Sequence, residues 1–225
     1  MARSFDDTTP DRFIASTGDF TFPITIAGWV KWTDDTNRFQ EPFQLSDGVQ
    51  QYFLIQLDLD GPLAYWFRWR VKTGGKLNDM PMGTGLNMSI NTWYHVACTA
   101  SAYNGDATGY VNGTAYKFTD SLRNKAISGS INYVEVGGND TSGRNFHGEL
   151  AHFGVWNAVL NDDEVDSLVA GFSPLNIRRA NLMNYWPFNG QTVEPDIVGD
   201  VDVSVASGSP GIVEEPWQHP RIVAP

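Results

Sequence analysis

The residues from Gln56 to Lys72, QLDLDGPLAYWFRWRVK, bring two aspartates, two arginines and four aromatic side chains into one short stretch. Two carboxylates could form the catalytic pair of a glycosidase, a tryptophan could stack on a sugar ring, and alternating charges could line one face of a β-sheet. A retaining glycosidase places its two carboxyl groups about 5–5.5 Å apart, on either side of the substrate. Asp58 and Asp60 are two residues apart on one predicted strand, which separates their backbones by about 6.5–7 Å. The spacing therefore disfavours a catalytic pair, and we expect no enzymatic activity.

The alternation of apolar and polar residues predicts two antiparallel strands here, joined by a short loop at residues 61–63. If both apolar faces lie on one side of the sheet, Asp58 lies opposite Trp66 and Gln56 lies opposite Arg68. Asp58 is then diagonal to Arg68 and within reach of its long side chain. We interpret the pattern as a cross-strand charge ladder on an exposed or grooved face, where each ion pair contributes about 0–1 kcal/mol. The side chains predicted to face the core are those of Phe53, Ile55, Leu57, Leu59, Tyr65, Phe67, Trp69 and Val71.

The same face has a functional interpretation, in which it binds a ligand instead of only contacting solvent. Trp66 would stack on a sugar ring or contact a partner protein, with Arg68 and Asp58 beside it. Tyr103, which precedes an Asn-Gly turn, is a second candidate for an exposed aromatic contact. The pattern is compatible with a solvated sheet face and with a binding face, and both interpretations stay open at this point.

The composition excludes several classes of function. The 225 residues are 41% hydrophobic, which is enough for a packed core. The formal net charge of −11 would repel a phosphate backbone, so we expect no nucleic-acid partner. The single cysteine, Cys98, excludes a disulfide framework within the chain and a cysteine-rich zinc site. No apolar run is long enough for a membrane helix, and the first residues lack the apolar core of a signal peptide, so we expect assembly in a cytoplasm and no membrane association.

Short period-two patterns separated by Gly, Asn and Asp predict a sandwich or jelly roll built of many strands. The Asn112-Gly113 pair predicts a tight hairpin between strands at Thr108–Val111 and Thr114–Phe118. Further strands are predicted at Ile24–Trp32, Thr92–Ser101, Asn132–Gly138, Gly148–Asn157 and Leu182–Phe188.

One helix is predicted after Asn161, which can cap it. Glu164 lies three residues further on and completes a capping-box pattern. Leu160 and Val165 are spaced as a hydrophobic staple, and Gly171 is the expected end of the helix. The acidic residues of this segment are therefore interpreted as structural.

Motifs in the middle of the chain are more specific than these patterns. Trp93 is followed by His95-Val96-Ala97, then by the hairpin Tyr110-Val111-Asn112-Gly113, and Trp156-Asn157 leads into the capped helix. Their order and spacing resemble those of the laminin G-like, concanavalin A-like lectin-glucanase jelly-roll family, in the form found in bacterial and bacteriophage proteins. The segment SPLNIRRANLMNYWPFNG is similar to the closing segment of phage-type members. The resemblance covers about Phe5 to Gly190 and implies an all-β fold, a two-sheet antiparallel jelly-roll sandwich.

The composition changes after Asn189, where five of the twelve prolines lie. We therefore divide the chain into a laminin G-like jelly-roll domain at 1–190, with one short helix, and a C-terminal part at 191–225. The second part is expected to be a short strand followed by an extended, proline-rich docking tail.

The resemblance says little about chemistry, because this fold carries lectins, hydrolases, adhesins and structural modules. The hydrolase branch has a Glu-x-Asp-x-x-Glu strand that is missing from this sequence, which argues against a glucanase. Some relatives bind calcium on a rim loop, through several converging oxygens. The candidate ligands here are Asp106, Asn139 and Asp140, and the loops that hold Asn104 and Asp34-Asp35 are further choices.

From the resemblance we expect a non-enzymatic structural or interaction protein of a bacteriophage virion, as a capsid decoration or a tail-associated protein. It would assemble in the host cytoplasm, lie on the virion surface, and have the major capsid or tail protein as its partner. Multi-copy virion proteins are usually symmetric, so we expect a homo-oligomer. The alternative is a carbohydrate-binding module or adhesin that binds glycans on a concave sheet face. No cofactor is expected except, in either case, a calcium ion on a rim loop.

Overall fold

The computed structural model describes residues 2–5, 11–34, 39–48, 52–59, 65–73, 76–86, 88–101, 105–119, 130–138 and 144–213. These residues form sixteen β-strands, an α-helix and a 3-10 turn. In chain order the strands are β1 (Ala2–Phe5), β2 (Arg12–Phe20), β3 (Ile24–Trp32), β4 (Phe39–Ser46), β5 (Tyr52–Leu59), β6 (Tyr65–Thr73), β7 (Lys76–Met82), β8 (Tyr94–Ala100), β9 (Ala107–Val111), β10 (Thr114–Phe118), β11 (Ile131–Val136), β12 (Gly148–Trp156), β13 (Leu182–Trp186), β14 (Val193–Glu194), β15 (Val203–Ser207) and β16 (Gly211–Val213). The helix α1 spans Asp162–Val169, and the 3-10 turn spans Pro174–Asn176.

The strands form two antiparallel sheets. The first sheet runs β10-β9-β8-β3-β12-β1-β16, with β13 also paired to β12, and the second runs β14-β15-β2-β11-β4-β5-β6-β7. Strands from both ends of the chain meet in each sheet, since β1 pairs with β16 and β2 pairs with β15. The expected fold class, an all-β two-sheet sandwich with a single short helix among the described residues, is confirmed.

Aromatic side chains fill the space between the two sheets. Phe43 of the second sheet stacks on Phe153 of the first, with ring centroids 4.7 Å apart. Trp32 of the first sheet meets Phe67 of the second edge to face at 5.8 Å. All four rings are fully buried. Large rings bury much apolar area each, so these contacts hold the sheets together and make them a firm support for their outer faces.

The hairpin of β5 and β6 has the register that the sequence predicts. Asp58 pairs with Trp66 and Gln56 pairs with Arg68. Tyr65 is half-buried and packs against the core, and the side chain of Leu59 lies outside the described structure. The other side chains that were predicted to face the core are fully buried: Phe53, Ile55, Leu57, Phe67, Trp69 and Val71. Side chains alternate between the two faces of a strand. A shift of one residue in the pairing of β5 with β6 would therefore turn the whole apolar set towards solvent.

The helix cap is also confirmed. The Asn161 side chain accepts a hydrogen bond from the backbone of Glu164 at 2.9 Å, and the Glu164 carboxylate accepts one from the backbone of Asn161 at 2.8 Å. Leu160 and Val165 are both fully buried. Glu164 therefore has the structural role assigned to it.

Several strands were not predicted, and proline explains two of the omissions. β4 contains Pro42 and β7 contains Pro81, a residue that cannot donate to a strand ladder. In β4 the pairing with β5 shifts between Gln40 and Phe43, so Pro42 lies at an irregularity of the ladder. β7 is the edge strand of the second sheet, where the missing donor is tolerated.

The C-terminal part contributes β14, β15 and β16 to the two sheets, and β15 falls within the segment for which a short strand was expected. Residues 214–225, which include most of the predicted docking tail, lie outside the described residues. No helix in the described part of the chain is long and apolar enough to span a membrane.

Candidate functional site

The outer surface of the second sheet carries a connected group of polar side chains, here called the polar face. Alternation along β5, β6 and β7 sends these side chains away from the core. In β4 the irregularity between Gln40 and Phe43 places Glu41 on the same outer surface. The residues of the polar face are Glu41 from β4, Gln56 and Asp58 from β5, Trp66, Arg68 and Arg70 from β6, and Asp79 from β7.

Arg68 lies at the centre of the polar face. Its guanidinium forms an ion pair with Asp58 and donates a second hydrogen bond to Asp79 Oδ2 at 2.9 Å. Arg70 Nε lies 3.6 Å from the same Asp79 oxygen. Charged pairs of this kind have directional hydrogen bonds, so Arg68 is held in one orientation on the sheet surface.

The charge ladder was interpreted as lying on an exposed or grooved face, and its β5 side is buried instead. Asp58 is 0% exposed and Gln56 is 1% exposed, whereas the side chain of Arg68 is 25% exposed. Trp66 lies directly opposite Asp58 across the strands, and Arg68 pairs with the same carboxylate. These large side chains cover the shorter ones beneath them, because neighbours on one sheet face lie only about 5 Å apart.

Trp66 is half-buried beside this ion pair. The Arg68 guanidinium carbon lies 5.8 Å from the centre of the Trp66 ring, within the range of a cation–π contact. The indole nitrogen of Trp66 is buried and has no hydrogen-bond partner among the described residues. The ring is thus fixed next to an arginine that faces partly to solvent.

Glu41, on β4, carries the polar face towards the middle of the second sheet. Its Oε1 accepts hydrogen bonds from Gln56 Nε2 at 2.9 Å and from Arg144 Nη1 at 3.0 Å. Arg144 also lies over the Phe39 ring, 5.4 Å from its centre. Burial raises the pKa of Glu41, although Arg144 and Gln56 oppose that shift by stabilising the charged form.

Replacing Glu41 with glutamine tests this account of its pKa. A carboxyl group whose pKa is higher in the folded chain binds more protons there than in the unfolded chain, so the native protein should lose stability as pH rises above about 4.5. We expect Glu41→Gln to reduce this loss, because glutamine is neutral and keeps an acceptor oxygen for Gln56 and Arg144. Urea unfolding between pH 4 and 8 measures it. An unchanged pH profile would contradict the assignment.

The structure brings together three of the predicted site residues, Asp58, Trp66 and Arg68. Tyr103, the other predicted contact, lies outside the described residues. Glu41, Asp79 and Arg144 were missed. The alternation in β7 could have pointed to Asp79, but Arg144 is 103 residues from Glu41 in the chain, and no local pattern connects them.

The calcium candidates do not form a cluster in the described structure. Asp106 is exposed in the turn before β9, and its backbone oxygen accepts a hydrogen bond from Ser101 at 3.4 Å. Asn139 and Asp140 lie outside the described residues, as do Asn104 and Asp35. Within the part of the chain that the structure covers, no group of three or more His, Cys, Asp or Glu side chains is arranged to hold a metal ion.

Comparison with known proteins identifies the fold. Residues 7–166 match the family described as the concanavalin A-like lectin/glucanases superfamily. No curated protein matches the sequence significantly.

Solved structures with a similar fold come from unrelated organisms. A heptameric SAP-like pentraxin of Limulus polyphemus is 15% identical, with a TM-score of 0.64 over 91% of this chain and 94% of that one. A Bacteroides ovatus protein assigned to carbohydrate binding is 17% identical, with a TM-score of 0.67 over 97% of this chain and 61% of that one. The enzymatically active domain of tailspike protein 2 from bacteriophage CBA120 is 14% identical, with a TM-score of 0.65 over 82% of this chain and 29% of that one. At these identities the likeness concerns the fold.

Proposed function

Because the chain belongs to the concanavalin A-like lectin/glucanases superfamily, we propose that it is a non-enzymatic glycan-binding domain whose polar face is the binding surface. The observation that carries the proposal is the fixed position of Arg68 between Asp58 and Asp79, next to the Trp66 ring. A fold of this kind also occurs in the Bacteroides ovatus protein assigned to carbohydrate binding.

The polar face has the two kinds of group that a sugar needs. A pyranose ring has an apolar face of C–H groups, which packs on an aromatic ring, and a rim of hydroxyls that donate and accept hydrogen bonds. Trp66 supplies the ring. Arg68 supplies N–H donors and Asp79, whose side chain is 33% exposed, supplies carboxylate acceptors. Because both charged groups are already held in place, little side-chain freedom is lost on binding.

Charge favours a neutral glycan over an acidic one. The polar face and the neighbouring Arg144 together carry three acidic and three basic side chains, so their formal charges cancel. These residues are Glu41, Asp58, Asp79, Arg68, Arg70 and Arg144. The whole chain has a formal net charge of −11, which repels polyanions at long range. We therefore propose neutral oligosaccharides as the ligand class.

Replacing Trp66 with alanine tests the site. We expect the variant to bind neutral oligosaccharides about ten-fold more weakly, which corresponds to a loss of about 1.4 kcal/mol. Isothermal titration calorimetry with the best neutral ligand from a glycan array measures the affinity. Trp93→Ala is the matched control, since Trp93 is also half-buried but packs near Lys31 of the first sheet, 5.4 Å from its ring centre.

Two results would reject the proposal. One is an array on which no neutral glycan binds, and the other is a Trp66→Ala variant that binds as tightly as the native chain. The non-enzymatic part is tested separately, by incubating the bound oligosaccharide with the protein. Release of shorter sugars, detected by chromatography, would contradict it.

A virion location is a second proposal. A tailspike domain of bacteriophage CBA120 has a similar fold, and the sequence motifs resemble those of phage-type members of the family. On this proposal the chain is displayed on a capsid or tail as a homo-oligomer, with its glycan-binding face towards the host. Co-sedimentation of the protein with purified particles from infected cells is the expected result, and recovery only in the particle-free supernatant would reject it.

A further inference from the structure

A cavity of about 150 Å³ lies on the outer face of the first sheet, so it is separate from the polar face. It lies between the sheet below and the segment from the end of α1 to the 3-10 turn above, and it is partly open to solvent. The residues that line it are Trp29, His95, His152, Leu168, Gly171, Phe172, Ser173, Pro174 and Tyr185. We call it the histidine cavity.

A local irregularity in β12 shapes this cavity. The pairing of β12 with β3 shifts between Ala151 and Gly154, and His152 has a positive φ of 55°. A non-glycine residue adopts this conformation at a cost of about 1 kcal/mol or more. The bulge re-aims the imidazole to the cavity side, where its Nδ1 lies 2.7 Å from the Tyr185 hydroxyl.

His95 forms the inner wall of the cavity. It is 1% exposed, and its ring meets Trp29 edge to face at 5.2 Å. Its Nδ1 is buried and has no hydrogen-bond partner among the described residues. A buried polar atom without a partner is unfavourable by about 1–3 kcal/mol, so a ligand that completes this hydrogen bond gains affinity from it.

The lining sets the chemistry of an occupant. It contains aromatic and aliphatic side chains, two imidazoles and two hydroxyls, but none of its residues is an aspartate, glutamate, lysine or arginine. A charged ligand would therefore lose its hydration without gaining a counter-ion. An apolar cavity of about 150 Å³ is known to hold a single benzene ring.

We propose that the histidine cavity binds one neutral six-membered ring that carries a hydroxyl group, of which phenol is the simplest example. The ring packs between Trp29 and Phe172. The hydroxyl pairs with His95 Nδ1, either as donor or as acceptor, because a hydroxyl can serve either tautomer of the neutral imidazole.

The test compares phenol with toluene, which has the same shape and lacks the hydroxyl. Each compound is titrated into the ¹⁵N-labelled full chain, and the amide shifts of residues 168–174 and of His95 are followed. We expect saturable binding, with phenol at least about ten-fold tighter than toluene, since an unmade buried hydrogen bond discriminates strongly between such ligands. In His95→Phe this preference should fall to about two-fold or less.

A rim variant keeps the proposal testable if His95→Phe does not fold. Phe172 is 54% exposed, so Phe172→Ala should leave the fold intact. We expect Phe172→Ala to weaken the binding of phenol and of toluene by the same factor, about five-fold, because the substitution removes apolar contact and no hydrogen bond. Leu77→Ala, at a 42% exposed position on β7, is the matched control and should change neither affinity.

Three outcomes would overturn the proposal. They are the absence of saturable phenol shifts at the cavity, an equal affinity for phenol and toluene in the native chain, and a preference for phenol that survives in His95→Phe. Because neither compound is a sugar, these outcomes are independent of whether the polar face binds glycans.

Discussion

Glu194→Ala is expected to lower the free energy of unfolding by about 3–5 kcal/mol, the range for a buried ion pair that loses one partner. Glu194 is fully buried and Arg3 is 4% exposed, with Nε and Oε1 only 2.6 Å apart. The carboxylate also accepts the backbone N–H groups of residues 189, 190 and 191, at 2.8–3.0 Å. Alanine would leave a buried guanidinium and three backbone donors without this partner.

Two further variants separate the charge from the hydrogen bonds. Glu194→Gln keeps one acceptor oxygen and should be less destabilising than Glu194→Ala. The double variant Arg3→Met with Glu194→Met removes both charges and should recover part of the loss, as apolar replacements of buried ion pairs do. Urea unfolding with a check for an unchanged m-value measures all three. A loss below about 1 kcal/mol in Glu194→Ala would contradict the assigned role.

Acidification below pH 6.5 is expected to destabilise the protein through His95 by about 1.4 kcal/mol per pH unit. Full burial lowers the pKa of His95 to about 3. Between about 3 and 6.5 the unfolded chain therefore binds a proton at this imidazole that the folded chain does not. The contribution of the neutral His95 ring to the free energy of unfolding is complete above pH 6.5. It decreases as the pH falls and is lost near pH 3.

The comparison of His95→Phe with the native chain isolates this effect. Unfolding free energies at pH 7, 6, 5 and 4 should fall less steeply in the variant, whatever its stability at pH 7. His147→Gln is the matched control, because His147 is partly exposed and lies 3.3 Å from Asp34. A slope in His95→Phe as steep as that of the native chain would contradict a neutral, buried His95.

Sequence patterns anticipated the parts of the structure that depend on near neighbours. The register of β5 and β6 follows from parity, since Asp58 and Trp66 are only eight residues apart and each strand has one apolar face. The cap at Asn161 follows from a residue three positions away. β4 was missed because Pro42 argues against a central strand, and only its pairing with β5 and β11 overrides that preference.

The residues of the candidate sites also divide into those predictable from near neighbours in the sequence and those placed by long-range packing. The sandwich, the capped helix and the side-by-side placement of Asp58, Trp66 and Arg68 could be predicted from local patterns, because each rests on strand alternation or on a short turn. The burial of Asp58 and the pairing of Glu194 with Arg3 across 191 residues are visible only in the folded chain. The same is true of the placement of His95 and His152 at one cavity. Burial and long-range pairing depend on which strands lie side by side, and that arrangement is set by the packing of the whole chain.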